Sequence, residues 1–109
     1  MLPRENRLTS GDEIHEVVKR GKRISTQDLT LHLTKSEGPT KFAFVVGKTT
    51  GNAVIRNLVK RRLREISREI VKANPSGNTA VVRAKDNAGA VSYVNLQSQL
   101  KDAFQKAVQ

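Results

Sequence analysis

"GNAVIRNLVKRRLREISREIVK", residues 51–72, combines an apolar repeat with a dense row of positive charge. The apolar residues recur every three or four positions, which is the period of an amphipathic helix with one buried face. They are Ile55, Val59, Leu63, Ile66 and Ile70. Asn52 supplies an N-cap, and Asn74 followed by Pro75 ends the pattern. The segment therefore predicts a helix of about twenty residues.

The positive charges of this helix form a second face beside the apolar one. At successive four-residue steps stand Arg56, Lys60, Arg64, Arg68 and Lys72, and Arg61 joins the same face. Like charges four residues apart destabilise a helix by roughly 0.2–0.5 kcal/mol per pair, so solvated helices usually alternate the sign of charge. Glu65 and Glu69 are expected on the far side. We interpret the cationic face as a row of phosphate contacts, against the alternative of a basic but merely solvated surface.

The composition of the whole chain agrees with an anionic partner. The 109 residues include 20 Lys and Arg against 10 Asp and Glu, a net charge of +10 that favours nucleic acid. There is no cysteine, and the two histidines are far apart in sequence, so we expect no metal site in the protein. No apolar run reaches the roughly 18 residues of a membrane span. No secretory signal is recognisable, which makes the cytoplasm the expected compartment.

The remaining elements fit one small domain, residues 1–109. Ser10 and Glu13 form a capping box, which predicts a first helix of about ten residues ending near Gly21. The apolar stripe of this helix comprises Ile14, Val17 and Val18.

Three segments have the character of strands. Residues 28–35, DLTLHLTK, alternate as in a half-buried strand, while residues 41–48, KFAFVVGK, are apolar on both faces as in a central strand. The turn-like SEGP between them leads us to expect an antiparallel hairpin. Residues 79–85, TAVVRAK, predict a third strand, and the repeat from Tyr93 to Ala107 predicts a last helix capped by Ser92. The result is a two-layer α+β domain of order α-β-β-α-β-α.

Catalytic chemistry is not apparent in the sequence. There is no Ser-His-Asp order, paired carboxylate cluster, glycine-rich phosphate loop or zinc-protease motif. His15 and His32 are expected at the surface or at a rim, and Phe42 and Phe44 are expected in the core rather than on a base-stacking platform. Any activity would have to be supplied by a partner.

Four motifs together resemble the protein component of bacterial ribonuclease P. They are RENRL at 4–8, VVKRGKR at 17–23, FAFVVGK at 42–48 and GNAVIRNLVKRRLRE at 51–65. The resemblance runs from about Arg4 to Val108. It implies an α-β sandwich similar to a ribosomal-protein fold, of order α-β-β-(β)-α-β-α, with a small, mainly antiparallel four-stranded sheet and a left-handed βαβ crossover.

The resemblance also implies a function and its partners. In this family the RNA subunit cleaves precursor tRNA with Mg²⁺, and the protein binds that RNA and the 5′ leader of the substrate. The protein would then be a non-catalytic subunit of an endoribonuclease, with no cofactor of its own and no obligate protein partner. The positions that match the family's RNA-binding residues are Lys48, Arg56, Asn57, Lys60, Arg61 and Arg64, and the helical periodicity adds Arg68.

This sequence departs from the family pattern at two places. The third position of the usual Arg-Asn-Arg motif is Leu58, which predicts the loss of one RNA contact. The leader cleft usually carries two aromatic residues on the first helix, and here those positions are Ile14 and Val18. We expect an apolar wall there, with His32 contributed by the neighbouring strand.

Two other functions are compatible with the residues alone. The chain could be a ribosomal or translation-factor-like protein that binds structured RNA without processing it. A helix-turn-helix DNA-binding protein fits less well, because the basic helix follows a strand rather than another helix.

Overall fold

The elements follow the order α-β-β-β-α-β-α in residues 2–109, the part of the chain that the computed structural model describes. They are α1 (Gly11–Arg20), β1 (Lys22–Ser25), β2 (Leu29–Pro39), β3 (Lys41–Val45), α2 (Ala53–Ala73), β4 (Ser76–Ala84) and α3 (Tyr93–Val108). Short 3-10 turns occupy Arg4–Asn6, Lys48–Thr50 and Asp86–Ala90. None of the helices in residues 2–109 has the length and apolar character needed to cross a membrane.

The four strands form one mixed sheet in the order β1-β2-β4-β3. β2 pairs antiparallel with both β1 and β4, whereas β3 pairs parallel with β4. The predicted α+β class and the mainly antiparallel sheet are therefore confirmed. Because α2 connects the parallel strands β3 and β4, these three elements form the expected βαβ unit. The left-handedness of this crossover stays a prediction.

The antiparallel hairpin predicted between residues 28–35 and 41–48, which belong to β2 and β3, is wrong. β4 lies between β2 and β3, so these two strands do not pair. β3 is an edge strand of the sheet, not a central one. It is apolar on both faces because both faces are covered, and its outer edge meets the N-terminal segment, where the Leu8 amide donates to the Phe42 carbonyl over 2.9 Å.

The SEGP segment is part of β2 and not a turn. The pairing of β2 with β4 shifts register between Lys35 and Pro39, which marks a bulge. Gly38 lies within it at φ 87°, a left-handed conformation that glycine adopts without strain. A bulge and a turn use the same residue types, so composition alone did not separate them.

The main core lies between the sheet and helices α2 and α3. β2 contributes Leu29, Leu31 and Leu33, and α2 contributes Val59, Leu63, Ile66 and Ile70, as its apolar repeat predicts. Phe42 packs at the centre of this layer, with its ring centroid 6.1 Å from that of Phe44 and 5.9 Å from that of Phe104. The prediction that both strand phenylalanines serve the core is therefore confirmed.

Helix α1 covers part of the opposite face of the sheet. Val17 packs there with Leu8, Ala43 and Val81 in a small second cluster. Ser10 caps the helix as predicted, since its Oγ accepts from the Glu13 amide. Gly21 ends the helix with φ −70°, and its role is close packing: a Cβ there would lie 2.5 Å from the Val17 carbonyl oxygen.

Candidate nucleic-acid interface

Helix α2 is fixed at both ends, which holds its cationic face in place. The Asn52 Oδ1 accepts from the Ile55 amide over 3.0 Å at the N-terminus. The preceding turn is tied to the loop after β4, where the Thr49 hydroxyl donates to the Asp86 carboxylate over 2.6 Å. At the other end the Asn74 amide donates to the Ile70 carbonyl. The basic side chains therefore project from a rigid element.

The predicted RNA-binding residues on α2 and its preceding turn differ in exposure. The exposed members are Lys48, Asn57, Arg61, Arg68 and Lys72, and the half-buried members are Arg56, Lys60 and Arg64. Within residues 2–109, the cations among them form no ion pair or side-chain hydrogen bond. We call these eight residues together the α2 cationic face. Its charge is available to an external anion.

Other charged residues of α2 are used inside the molecule. The Arg62 guanidinium donates to the Val91 carbonyl over 3.0 Å. Glu69 accepts from Gln97 at 2.8 Å and pairs with Lys101 at 2.9 Å, both on α3. Hydrogen bonds from Lys101 and then Gln97 hold the pKa of Glu69 below its usual value. These contacts keep one cation and one carboxylate of α2 turned toward α3.

Leu58 lines a shallow hollow of about 620 Å³ at the edge of the α2 cationic face. Arg61 and Arg64 share this hollow with Val54, whose side chain is 76% exposed. Glu65 also lines it, so the carboxylate-free part of the face ends at this edge. The apolar side chains of Leu58 and Val54 thus interrupt the positive surface at this edge.

The residues predicted for the leader cleft lie on the α1 side of the sheet in two neighbouring cavities. Val18 and His32 line a cavity of about 530 Å³ between α1 and the sheet. Ile14 lines a smaller one of about 210 Å³ together with Lys60 and Arg64 of α2. The second cavity connects the cleft side of α1 with the α2 cationic face.

His32 is buried, which corrects its expected place at the surface or rim. Only 5% of the residue is exposed, because the strands on either side and α1 enclose it. Burial lowers the pKa of its imidazole, and the nearby guanidinium groups of Arg83 and then Arg23 lower it further. His15, by contrast, is exposed on α1 as predicted.

Three cations of the cleft were missed by sequence reasoning: Arg23, Arg83 and Lys85 line the same cavity as His32. Arg23 belongs to β1, a short edge strand whose single half-buried apolar residue, Ile24, gives almost no periodic signal. Arg83 lies within β4, and its alternation with Val82 places it on the cleft face. That alternation was the available signal.

Within residues 2–109, no three His, Cys, Asp or Glu side chains come together in a way that could hold a metal ion.

A two-layer α+β fold that presents a cationic helix without internal ion pairs is typical of a small nucleic-acid-binding protein. The family model described as Ribonuclease P matches residues 2–108. The ribonuclease P protein component of Clavibacter michiganensis is 36% identical over 110 residues, covering 99% of this chain and 97% of the relative. That of Streptomyces avermitilis is 40% identical over 116 residues, covering 97% and 94%.

Solved structures show the same fold. The RNase P protein of Staphylococcus aureus superimposes with a TM-score of 0.83 at 21% identity, covering 94% of each chain. The RNase P protein of Thermotoga maritima gives a TM-score of 0.78 at 24% identity, covering 88% of this chain and 92% of its own. The chain belongs to the ribonuclease P protein component family. It is thus a subunit of a ribonucleoprotein that processes tRNA.

Proposed function

We propose that this protein binds the RNase P RNA through the α2 cationic face and the 5′ leader of precursor tRNA through the cleft beside α1. By holding substrate on the RNA, it assists endonucleolytic removal of the leader and lowers the Mg²⁺ requirement of the reaction. Catalysis rests with the RNA subunit and its Mg²⁺ ions.

The observation that carries this proposal is the unpaired row of cations on α2 in a chain of this family. Eight side chains, Lys48, Arg56, Asn57, Lys60, Arg61, Arg64, Arg68 and Lys72, follow one rigid helix and the turn before it. Each phosphate that such a cation neutralises releases counterions, so binding depends steeply on salt. Five or six contacts would lower the affinity by roughly two to three orders of magnitude between 50 and 200 mM salt.

The cleft is suited to a single strand that continues toward the α2 cationic face. Ile14 and Val18 provide an apolar wall, and His32 and the neighbouring cations provide polar groups. The cavity lined by Ile14 is also lined by Lys60 and Arg64, so the α1 wall and the α2 cationic face meet there. A leader in the cleft would therefore emerge beside the bound RNA subunit.

Reconstitution tests the proposal directly. The protein is mixed with a bacterial RNase P RNA and precursor tRNA at low Mg²⁺, and leader release is followed over time. We expect faster cleavage than with RNA alone, and a tighter hold on substrates with a leader of several nucleotides than on those with one. No gain over RNA alone would contradict the proposal. Co-purification with ribosomes, and not with one RNA of intermediate size, would instead favour the structured-RNA-binding alternative.

A further inference from the structure

The cavity between α1 and the sheet concentrates positive charge at its mouth. Its volume is about 530 Å³, and it is lined by Val18, Arg23, Thr30, His32, Arg83, Ala84 and Lys85. No carboxylate is among these residues. Three cations and an imidazole therefore meet at one concave surface, where their mutual repulsion costs folding free energy.

The sheet register brings two of the cations to either side of His32. Arg23 on β1 is the direct cross-strand partner of His32 on β2. On the other side His32 pairs with Val81 of β4, and Arg83 is two residues further along that strand. Side chains two residues apart in a strand share a face, so both guanidinium groups flank the imidazole. We call Arg23, His32 and Arg83 the Arg-His-Arg cluster.

The polar groups of this cluster have no internal partners. Among residues 2–109, neither guanidinium forms a hydrogen bond or an ion pair, and both ring nitrogens of His32 are buried without a hydrogen-bond partner. Lys85 differs, because its ammonium group donates to the Ser25 hydroxyl at 2.8 Å and to the Thr26 carbonyl at 2.5 Å. Arg23 and Arg83 are exposed, so their unpaired guanidinium groups are accessible to a ligand. The buried imidazole without partners is costly to the fold, which points to a ligand that supplies a partner.

The chemistry of the three side chains selects an oxyanion. A guanidinium presents several N–H donors in a planar fork that fits phosphate oxygens, and two of them converge here. The neutral imidazole favoured by the lowered pKa of His32 retains one N–H donor. Ile14 and Val18 offer no aromatic ring on which a base could stack, so the backbone is the part of a single strand that this cleft can hold strongly.

We propose that the Arg-His-Arg cluster binds one backbone phosphate of the precursor tRNA leader. This inference rests on the proposed function, since it takes the cleft as the leader's binding site. The exposed Arg23 and Arg83 each donate to non-bridging oxygens, and the His32 ring, whose nitrogens are buried without the ligand, turns its N–H to the same phosphate. Leader binding at this point is therefore independent of base identity and depends on salt.

The test uses the reconstituted holoenzyme with two substrates, one with a leader of several nucleotides and one with a single leader nucleotide. Arg23→Gln and Arg83→Gln should each weaken binding of the long-leader substrate by roughly three- to tenfold and leave the short-leader substrate unchanged. Lys106→Gln is the matched control: it removes one exposed charge from α3 on the other side of the sheet and should change neither affinity. Urea unfolding of each variant checks that the fold persists.

A second arm identifies the phosphate. Each leader linkage in turn is replaced by an uncharged methylphosphonate, and one position should weaken binding to the wild-type holoenzyme by a similar factor. At that position the Arg23→Gln and Arg83→Gln holoenzymes should each be less sensitive to the replacement than the wild type, because each variant has already lost one of the contacts to this phosphate. Arg23→Lys, which keeps the charge but loses the planar fork, should lose less affinity than Arg23→Gln.

Two results would overturn the inference. One is equal weakening of the long- and short-leader substrates by the arginine variants, which would place the contact on the RNA subunit or the tRNA body. The other is insensitivity of the wild-type holoenzyme to every uncharged linkage. In either case the wild-type protein would still speed cleavage over RNA alone. Failure of the proposed function would instead abolish that gain, so the two failures can be distinguished.

Discussion

The two faces of the sheet are built for different purposes. The face toward α2 and α3 buries a continuous apolar layer, in which Leu31, Leu63 and Leu100 are fully enclosed. The face toward α1 buries only a small apolar cluster around Val17 and Val81. Beyond that cluster the α1 face carries both buried, unpartnered ring nitrogens of His32, while on α2 the Ser67 hydroxyl is likewise buried without a partner.

The difference teaches how a chain of 109 residues combines stability with a charged binding surface. Burial of apolar area supplies most of the folding free energy, and here it is concentrated on one face. The other face can then keep a buried imidazole without partners and several like charges close together, which both reduce stability. We infer that the α1 face gives up stability for binding, and each prediction below tests part of this division.

The largest effect is expected from the apolar face. Leu63→Ala removes a fully buried side chain between the sheet and α2 and should lower the free energy of unfolding by about 2–5 kcal/mol. Val18→Ala on the half-buried α1 wall should cost less than about 1 kcal/mol, because fewer contacts are lost there. Urea denaturation of both variants measures the contrast. Equal losses would mean that the two faces contribute alike to stability.

Replacement of His32 should change stability in the opposite direction and raise the free energy of unfolding. His32→Leu replaces two unpartnered nitrogens with an apolar side chain of similar size in a buried site, and should raise the free energy of unfolding by about 1 kcal/mol. The same variant should weaken binding of a long-leader substrate. Urea denaturation and the leader-length comparison give the two readouts. A destabilised variant would show that the imidazole serves the fold and not the ligand.

The pH dependence of stability follows from the lowered pKa of His32. Burial, with Arg83 and then Arg23, lowers the pKa of His32 in the folded state below its usual value of about 6.5, so the unfolded chain binds the proton more readily. Stability is therefore unaffected by this group above pH 6.5 and falls as the pH drops below it toward the folded pKa. The stability difference between His32→Leu and the wild type should widen as the pH falls from 7 to 5. A constant difference over this range would contradict the pKa direction.

Much of the fold could be predicted from local patterns. The ends of α2 followed from Asn52 and Pro75, and its buried stripe from a repeat that only a helix brings to one face. Strand pairing could not be predicted in this way. The sequence neighbours β2 and β3 are separated by β4, a strand that follows 30 residues of turn and helix between Val45 and Ser76.

The candidate site was predictable where it lies on one helix and hidden where it depends on tertiary pairing. The spacing of Arg56, Lys60 and Arg64 is itself the evidence for one face. Arg23 and Arg83 are 60 positions apart, and only the pairing of β1, β2 and β4 places both beside His32. For the same reason, the burial of His32 was not visible from the strand alternation alone.

Substitutions on the α2 cationic face should have a smaller effect, and the effect should be on RNA affinity, because they remove charge without disturbing the core. Arg64→Ala or Lys60→Ala should weaken binding to the RNase P RNA and reduce the slope of log affinity against log salt by roughly one. The free energy of unfolding should change little, because neither side chain has a salt bridge or hydrogen bond within residues 2–109. A titration at several salt concentrations measures the slope, and Lys106→Ala provides the control. An unchanged slope would mean that the face is merely solvated.

The smallest effect is expected at Leu58, where this chain departs from the family's usual arginine. Leu58→Arg adds a cation beside Arg61. The position lies at the edge of the face, in the hollow that Glu65 also lines. The slope of log affinity against log salt should therefore become steeper by less than roughly one. The new charge is three and four residues from Arg61 and Arg62, which should lower helix stability by roughly 0.2–0.5 kcal/mol per pair. Leu58→Gln is the matched control, since it removes the apolar side chain without adding charge. Leu58→Gln could instead tighten RNA binding as much as Leu58→Arg. The gain would then come from removing the apolar side chain beside Val54 and not from the added charge. That result would mean that the α2 cationic face needs no arginine at this position to bind RNA.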